Sequence, residues 1–287
     1  MKKQSSKISG NRTNNKFNKL TSKFTTKTLQ TVFYYIIGFS LFIAAWYLFV
    51  WLLEIISNTP QVVPYPHEAF RAFFLLQYTP IDGVTLPAHA LASFFRVLMG
   101  IFYAWLVALP LGILLALFEK IDRIISPIIE IIRPIPPIAW IPFAIITLGL
   151  TTTSNAFIIF IGAFFPLFQN TYDGVRQSDK VYQDVARSLG ARKIQVIWRV
   201  VLPSAAPNIY TGFKVAVGIG WMCVIAAEMM GISGAGIGYF INYMKNIGYY
   251  SNMVAGMLMI AVVGLLINGI FLIIEKYALS WKYNSNR

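Results

Sequence analysis

Long apolar runs alternate with short polar stretches along the chain. Residues 31–56, 94–118, 127–150, 156–172, 205–230 and 253–274 are dominated by Leu, Ile, Phe, Val and Ala and carry few charges. Runs of roughly 18 or more such residues are long enough to cross the hydrocarbon layer as helices. The pattern predicts an all-α polytopic membrane protein with about six transmembrane helices.

The stretches between the runs differ in kind. Residues 1–30 are polar and basic without apolar periodicity and are expected to be a disordered tail. The first run, 31–56, is too long for a signal-peptide core and reads as a retained span. Residues 57–88 hold Pro60, Pro64, Pro66, Pro80 and Pro87, and read as an extramembrane segment with one short helix near 68–76. Residues 89–276 form the main body, and 277–287 a second short tail. Within the body, "DVARSLGARKIQVIWRVVLP", Asp184 to Pro203, is basic yet striped. Val181, Val185 and Leu189 recur at i, i+4 and i+8; beyond Gly190, Ile194, Ile197 and Val201 repeat the pattern. This predicts two short amphipathic helices joined by a glycine bend.

Composition agrees: 57% of residues are hydrophobic, 12% are charged, and mean hydropathy is +0.62. The net charge of +13 invites a nucleic-acid partner, but its distribution argues otherwise. With six spans, 20 of the 24 Lys and Arg residues fall on one side: in the N-terminal tail, the second connection with its flank to Arg133, residues 174–203 and the C-terminal tail with Lys276. The positive-inside rule makes that side cytoplasmic, places both termini there in a multi-pass cell-membrane protein, and removes the need for nucleic acid. The lipid bilayer, not nucleic acid, is the expected partner of the chain.

Catalytic chemistry is missing from the pattern. No G-x-x-x-x-G-K-[ST] phosphate loop occurs, so this chain is not expected to hydrolyse ATP. "GISGAGIGYF", Gly231 to Phe240, fits neither a dinucleotide fingerprint nor a nucleophile elbow. His67 and His89 have no metal-ligand spacing, so neither a metal nor another cofactor is expected. Cys223 lies in an apolar run and excludes an internal disulfide.

Three features call for explanation. Glu228 lies near the outer end of the fifth span, and an ionisable group at that depth is a functional candidate; its structural alternative is a cap on the amides of the glycine-rich turn. Glu130 and Arg133, at i and i+3, read as an ion pair. "RPIPPIAWIP", Arg133 to Pro142, cannot form a regular helix. Irregular backbone at membrane depth is tolerated where it is buried in protein or lines a watery cavity. Pro134, Pro136, Pro137 and Trp140, with Trp221 and Glu228 from the fifth span, are therefore the candidate translocation-pathway residues, and a kinked packing element is the alternative.

Asp184 to Pro203 also resembles the cytoplasmic loop of ABC-importer permeases: an acidic residue and Ala-Ala, three residues, Gly, nine residues, then Ile-x-Leu-Pro. Here Asp184, Val185 and Ala186 take the first places, Gly190 the glycine, Val200 the isoleucine, and Leu202-Pro203 the end. "RPIPPIAWIPFAIITLGL" and "VIAAEMMGISGAGIGYFI" resemble the type I branch for nitrate, sulfonate, taurine and bicarbonate. The resemblance covers roughly His89 to the C-terminus. It implies a type I importer permease fold with a coupling-helix loop at 174–203, a permease homodimer, separate ATPase subunits and an extracytoplasmic substrate-binding protein. A gradient-driven secondary transporter or channel is the alternative, disfavoured by the lack of an inverted repeat and the scarcity of intramembrane charge.

Overall fold

The computed structural model describes the backbone of residues 5–57, 63–232 and 234–278. Among these residues the architecture is all-α, apart from one bridge between Ile81 and Val84. The tail expected at 277–287 lies, beyond residue 278, outside the described residues. The chain divides into two units, residues 1–68 and 69–287.

The first unit is built on α1, Ser5–Ser57. Its apolar part, Gln30–Ile56, is long enough to cross a membrane. The helix also runs through residues 5–29, where composition alone leads one to expect disorder. Once a span is helical, adding residues to its end needs no new nucleus. Beyond the span, the chain is tied back to α1 by the Tyr65 hydroxyl, which donates to Glu54 Oε2 at 2.7 Å, and by His67, which stacks on Tyr47 and on Tyr65.

A short helix, α2 (Pro66–Leu75), carries the chain from the first unit into the second. The long helices of the second unit are α3 (Leu86–Leu117), α6 (Thr152–Arg176), α9 (Leu202–Met229) and α11 (Tyr250–Ala278). α6 packs between α3 and α9, and small residues set how closely they approach. A Cβ on Gly212 would lie 2.6 Å from Asn170 Cβ, so only glycine fits at that crossing. Outward side chains of α11, such as Leu265 and Leu266, stay apolar and exposed, as a lipid-facing surface requires.

The third span departs from the continuous run expected at 127–150. It is a pair of helices, α4 (Glu119–Ile132) and a second arm made of a 3-10 turn, Pro137–Trp140, and α5, Ile141–Leu148. The two arms meet at 86°. Pro134, Pro136 and Pro137 remove three of four backbone donors at the bend. Among the described residues, five helices are long and apolar enough to cross a membrane, or six if the bent pair is one span. The Glu130–Arg133 ion pair does not form: Arg133 Nη1 instead donates to Gln169 Oε1 on α6 at 3.2 Å, which anchors the bend to its neighbour.

Candidate functional site

At one end of the bundle, α3 presents His89, Ser93 and Arg96, spaced i, i+4 and i+7 on one helix face. They meet Glu228, on the last turn of α9, and the glycine-rich connection to α10 (Ile237–Asn246). Glu228 is fully buried. Its Oε1 pairs with Arg96 Nη1 at 2.6 Å, and its Oε2 accepts the Gly238 amide at 3.0 Å. The Ser93 hydroxyl lies 2.9 and 2.8 Å from the two carboxylate oxygens and accepts the Ile237 amide at 2.9 Å. Arg96 also donates to the Ala235 carbonyl at 2.7 Å, and His89 Nδ1 accepts the Gly236 amide at 3.0 Å.

Four successive residues, Ala235 to Gly238, are thus gripped through their backbones. Serine and carboxylate oxygens satisfy the first amides of α10, as a helix cap does, although they come from other helices. Gly236 has φ +129°, and a Cβ there would run into the Glu228 carboxylate. Glu228 thus makes the cap named as its structural alternative. His89, Ser93 and Arg96 escape sequence reasoning, although their polar i, i+4, i+7 stripe in an apolar run is a legible signal.

A further polar residue reaches this level. The facing pairs Gly100–Ile159 and Gly112–Thr171 set the register of α3 against α6, and that register puts Asn155 level with Arg96. Asn155 is fully buried, and neither its Oδ1 nor its Nδ2 has a partner.

The opposite end of the bundle carries Asp184 to Pro203. α7, Lys180–Ser188, is capped by Asp179, whose carboxylate accepts the Val181 amide at 2.9 Å. It closes in a Schellman motif: Ala191 N–H bonds to Ala186 O at 3.0 Å and Gly190 N–H to Arg187 O at 2.9 Å. Gly190 has φ +85°, the left-handed backbone that a glycine bend implies. Asp184 is exposed and pairs with Arg187 at 3.2 Å.

The second stripe differs from a separate helix ended by Leu202-Pro203. α8, Lys193–Val196, passes through a π-turn, Ile197–Val201, directly into α9. Pro203 falls in the first turn of α9, next to that local widening, where a missing donor is tolerated. Ala186, Val200 and Leu202 pack around a small core of Val175, Val196, Val201 and Ala205. The face of α7 turned away from this core is apolar and unpartnered among the described residues: Val181, Val185 and Leu189 are 64%, 52% and 83% exposed. Tyr182 and Trp198, which the stripe reading omits, are exposed beside them.

Beside α7 the arms of the bundle are linked. Asp122 on α4 accepts from Tyr172 at 2.8 Å and from Arg176 at 3.2 Å, both on α6. Ser204 on α9 donates to Ser178 at 2.8 Å, which ties α9 to the turn before α7.

Among the described residues, the proline-rich bend and Trp221 lie on different sides of α9. Pro134 and Pro136 are exposed, and Pro137 lies near Gly162 and thus on the Cys223 side of α9. Trp140 is half-buried against Phe143. Trp221 faces α11 on the other side of α9, in a recess lined by none of the prolines.

Residues 108–279 match the family described as binding-protein-dependent transport system inner membrane component. The chain belongs to this family. As a permease, it is 33% identical over 218 residues to the taurine transport system permease protein of Escherichia coli K12, covering 75% of this chain and 78% of that protein. It is 33% identical over 242 residues to the bicarbonate transport system permease protein of Synechococcus elongatus, covering 81% and 86%. Its fold is that of a chain in an inward-facing structure of the MetNI methionine ABC transporter. The TM-score is 0.58 with 20% identity, over 67% of this permease and 95% of that chain. The permease is a transport component embedded in the membrane.

Proposed function

We infer that this permease forms the pathway of an ATP-driven importer for a small anionic or sulfonated solute, of the kind represented by nitrate, bicarbonate, taurine and alkanesulfonates. Two copies face each other in the membrane. An extracytoplasmic binding protein delivers the solute at the end that carries Glu228. Two separate ATPase subunits grip residues 174–203 on the cytoplasmic side, where both termini also lie. Pro134, Pro136, Pro137 and Trp140 border the path.

The observation that carries this reading is the exposed apolar face of α7, held rigid by the Schellman bend and its small core. An apolar stripe rimmed by Arg187, Arg192 and Lys193 outside the spans is suited to a protein partner. Motion imposed there reaches the bent span through the Asp122–Tyr172–Arg176 contacts and reaches α9 through Ser204.

The test is uptake of nitrate, bicarbonate and taurine into proteoliposomes containing the permease, its ATPase and its binding protein. Accumulation of one of them should require ATP and an active ATPase. Uptake that persists with an inactive ATPase would instead identify a gradient-driven carrier. Cys introduced at Ser6, Ser188 or Ser285 in a Cys223→Ala background should react with impermeant reagents only after permeabilisation.

A further inference from the structure

Within the cluster that grips Ala235 to Gly238, the contact made by His89 fixes the charge of its own ring. The side chain is buried, with the Phe240 and Tyr239 rings 5.4 and 6.5 Å away. Gly236 N–H points at its Nδ1 from 3.0 Å. A backbone amide can only donate, so Nδ1 must hold a lone pair there. The imidazole is therefore neutral, with its proton on Nε2.

The surroundings do not favour a second proton. On α3 itself the neighbouring charge is Arg96, a cation. Glu228 of α9 is already held by Arg96 at 2.6 Å, by the Ser93 hydroxyl and by the Gly238 amide. α10 turns its N-terminus toward the ring, and that end of a helix carries partial positive charge. The same helix brings Tyr239, stacked on Tyr243, and an exposed Lys245 in its last turn. Tyr243 is hydrogen-bonded to Asp82 in the turn before α3. The end of α2 meets the start of α3 through the Leu86 amide and the Leu76 carbonyl, and its Arg71 is exposed. The charged residues of α4, α6 and α11 lie toward the opposite end of the bundle.

We propose that His89 is a proton-operated latch on the extracytoplasmic end of the permease, closed at neutral pH and opened by acid outside the cell. A proton arriving on Nδ1 sets two donors, Nδ1–H and Gly236 N–H, against each other and adds a cation to the side of Arg96. Gly236 has little room to adjust, because Arg96 holds the Ala235 carbonyl and Ser93 holds the Ile237 amide. Opening the bond therefore loosens residues 235–238 and the start of α10 with them. A free imidazole titrates near pH ~6.5. Only the opened or unfolded chain takes up the proton freely, so the closed state is fully favoured above that value and loses ground as pH falls through it. The sidedness rests on the placement of the Glu228 end outside the cell inferred above, whereas the latch rests on the His89–Gly236 contact alone.

The test is amide hydrogen exchange of the full-length permease in nanodiscs, which leave both faces accessible, with rates corrected for the intrinsic effect of pH. Peptides covering residues 234–241 should be protected near pH ~7.5 and exchange about tenfold faster near pH ~5.5, one unit below the free imidazole value. His89→Gln keeps an acceptor for the Gly236 amide but cannot titrate, so its protection should be the same at both pH values. His89→Phe has neither acceptor nor charge, and should exchange fast at both. Equal wild-type protection at the two pH values would overturn the proposal, as would an undiminished acid response in His89→Gln. Should neither variant fold, the wild-type pH profile decides: an onset near pH ~6.5 supports the latch, and one below pH ~5 marks a carboxylate and overturns it. Sidedness is read separately, from Tyr249→Cys in a Cys223→Ala background, at an exposed position just beyond α10. Reaction with an impermeant reagent in intact cells is expected. Reaction only after permeabilisation would overturn the outside placement, while the exchange result would still stand for the latch.

Discussion

Arg96 Nη1 stands 2.6 Å from Glu228 Oε1, a contact between α3 and α9 across a fully buried carboxylate. The pair holds the glycine-rich connection while Ser93 and His89 occupy its remaining amides. Removing one partner of a buried pair strands the other charge and costs about 3–5 kcal/mol, whereas removing both is far milder. Arg96→Met should therefore lower the thermal midpoint of the purified permease more than Arg96→Met combined with Glu228→Met. A double variant less stable than either single one would show that the pair is not the unit of stabilisation. Gly236→Ala should resemble the single variants, because its Cβ meets the Glu228 carboxylate.

Asn155 leads to the opposite expectation. A buried amide without partners is destabilising by ~1–3 kcal/mol, and an apolar residue of similar shape removes that cost. Asn155→Leu should raise or leave unchanged the thermal midpoint. A fall of several degrees would mean that the side chain has partners in the assembled transporter.

Gly190→Val tests the coupling bend. A residue with a β-carbon at φ +85° costs ~1–2 kcal/mol, more for a β-branched one. Space is no obstacle, since nothing lies within 4 Å of the position. Membrane insertion should be normal, while co-purification of the ATPase and substrate-stimulated hydrolysis should fall. Both unchanged at equal expression would refute the role of the bend. Asp184→Lys is expected to act in the same direction by turning the Arg187 contact into a repulsion.

Val185→Asp and Leu189→Asp probe the docking face directly. Both side chains are exposed in the isolated chain, so the fold should tolerate the change. Loss of ATPase co-purification with an unaltered thermal midpoint is the expected result, and retained co-purification would place the ATPase elsewhere.

Pro136→Ala combined with Pro137→Ala restores two backbone donors at the 86° bend. Transport should be impaired with ATPase assembly intact. Wild-type uptake in this variant would assign the prolines to packing.

Much of this permease is legible from local pattern, because the lipid bilayer imposes a one-dimensional rule. Spans must be apolar and long, and five of the six runs, at 31–56, 94–118, 156–172, 205–230 and 253–274, correspond to α1, α3, α6, α9 and α11. The left-handed Gly190 is legible for a similar reason, since a helix end and its glycine are set by neighbours a few residues away. Proline arithmetic shows that the third run must break, but the angle depends on what α4 and α5 pack against. The Arg96–Glu228 pair lies beyond sequence reasoning, because its members are 132 residues apart and meet only when α3 and α9 reach their final register. For the same reason, Arg133 finds Gln169 rather than the adjacent Glu130. Trp221 and the prolines look like one group along the chain, yet the rotation of α9 turns Trp221 toward α11, away from them. Sequence alone determined which runs are long and apolar enough to cross a membrane, and where the chain bends at Gly190. Only the packing of the helices decided which polar groups meet, because burial of a charge is settled by distant partners rather than by its neighbours in the chain.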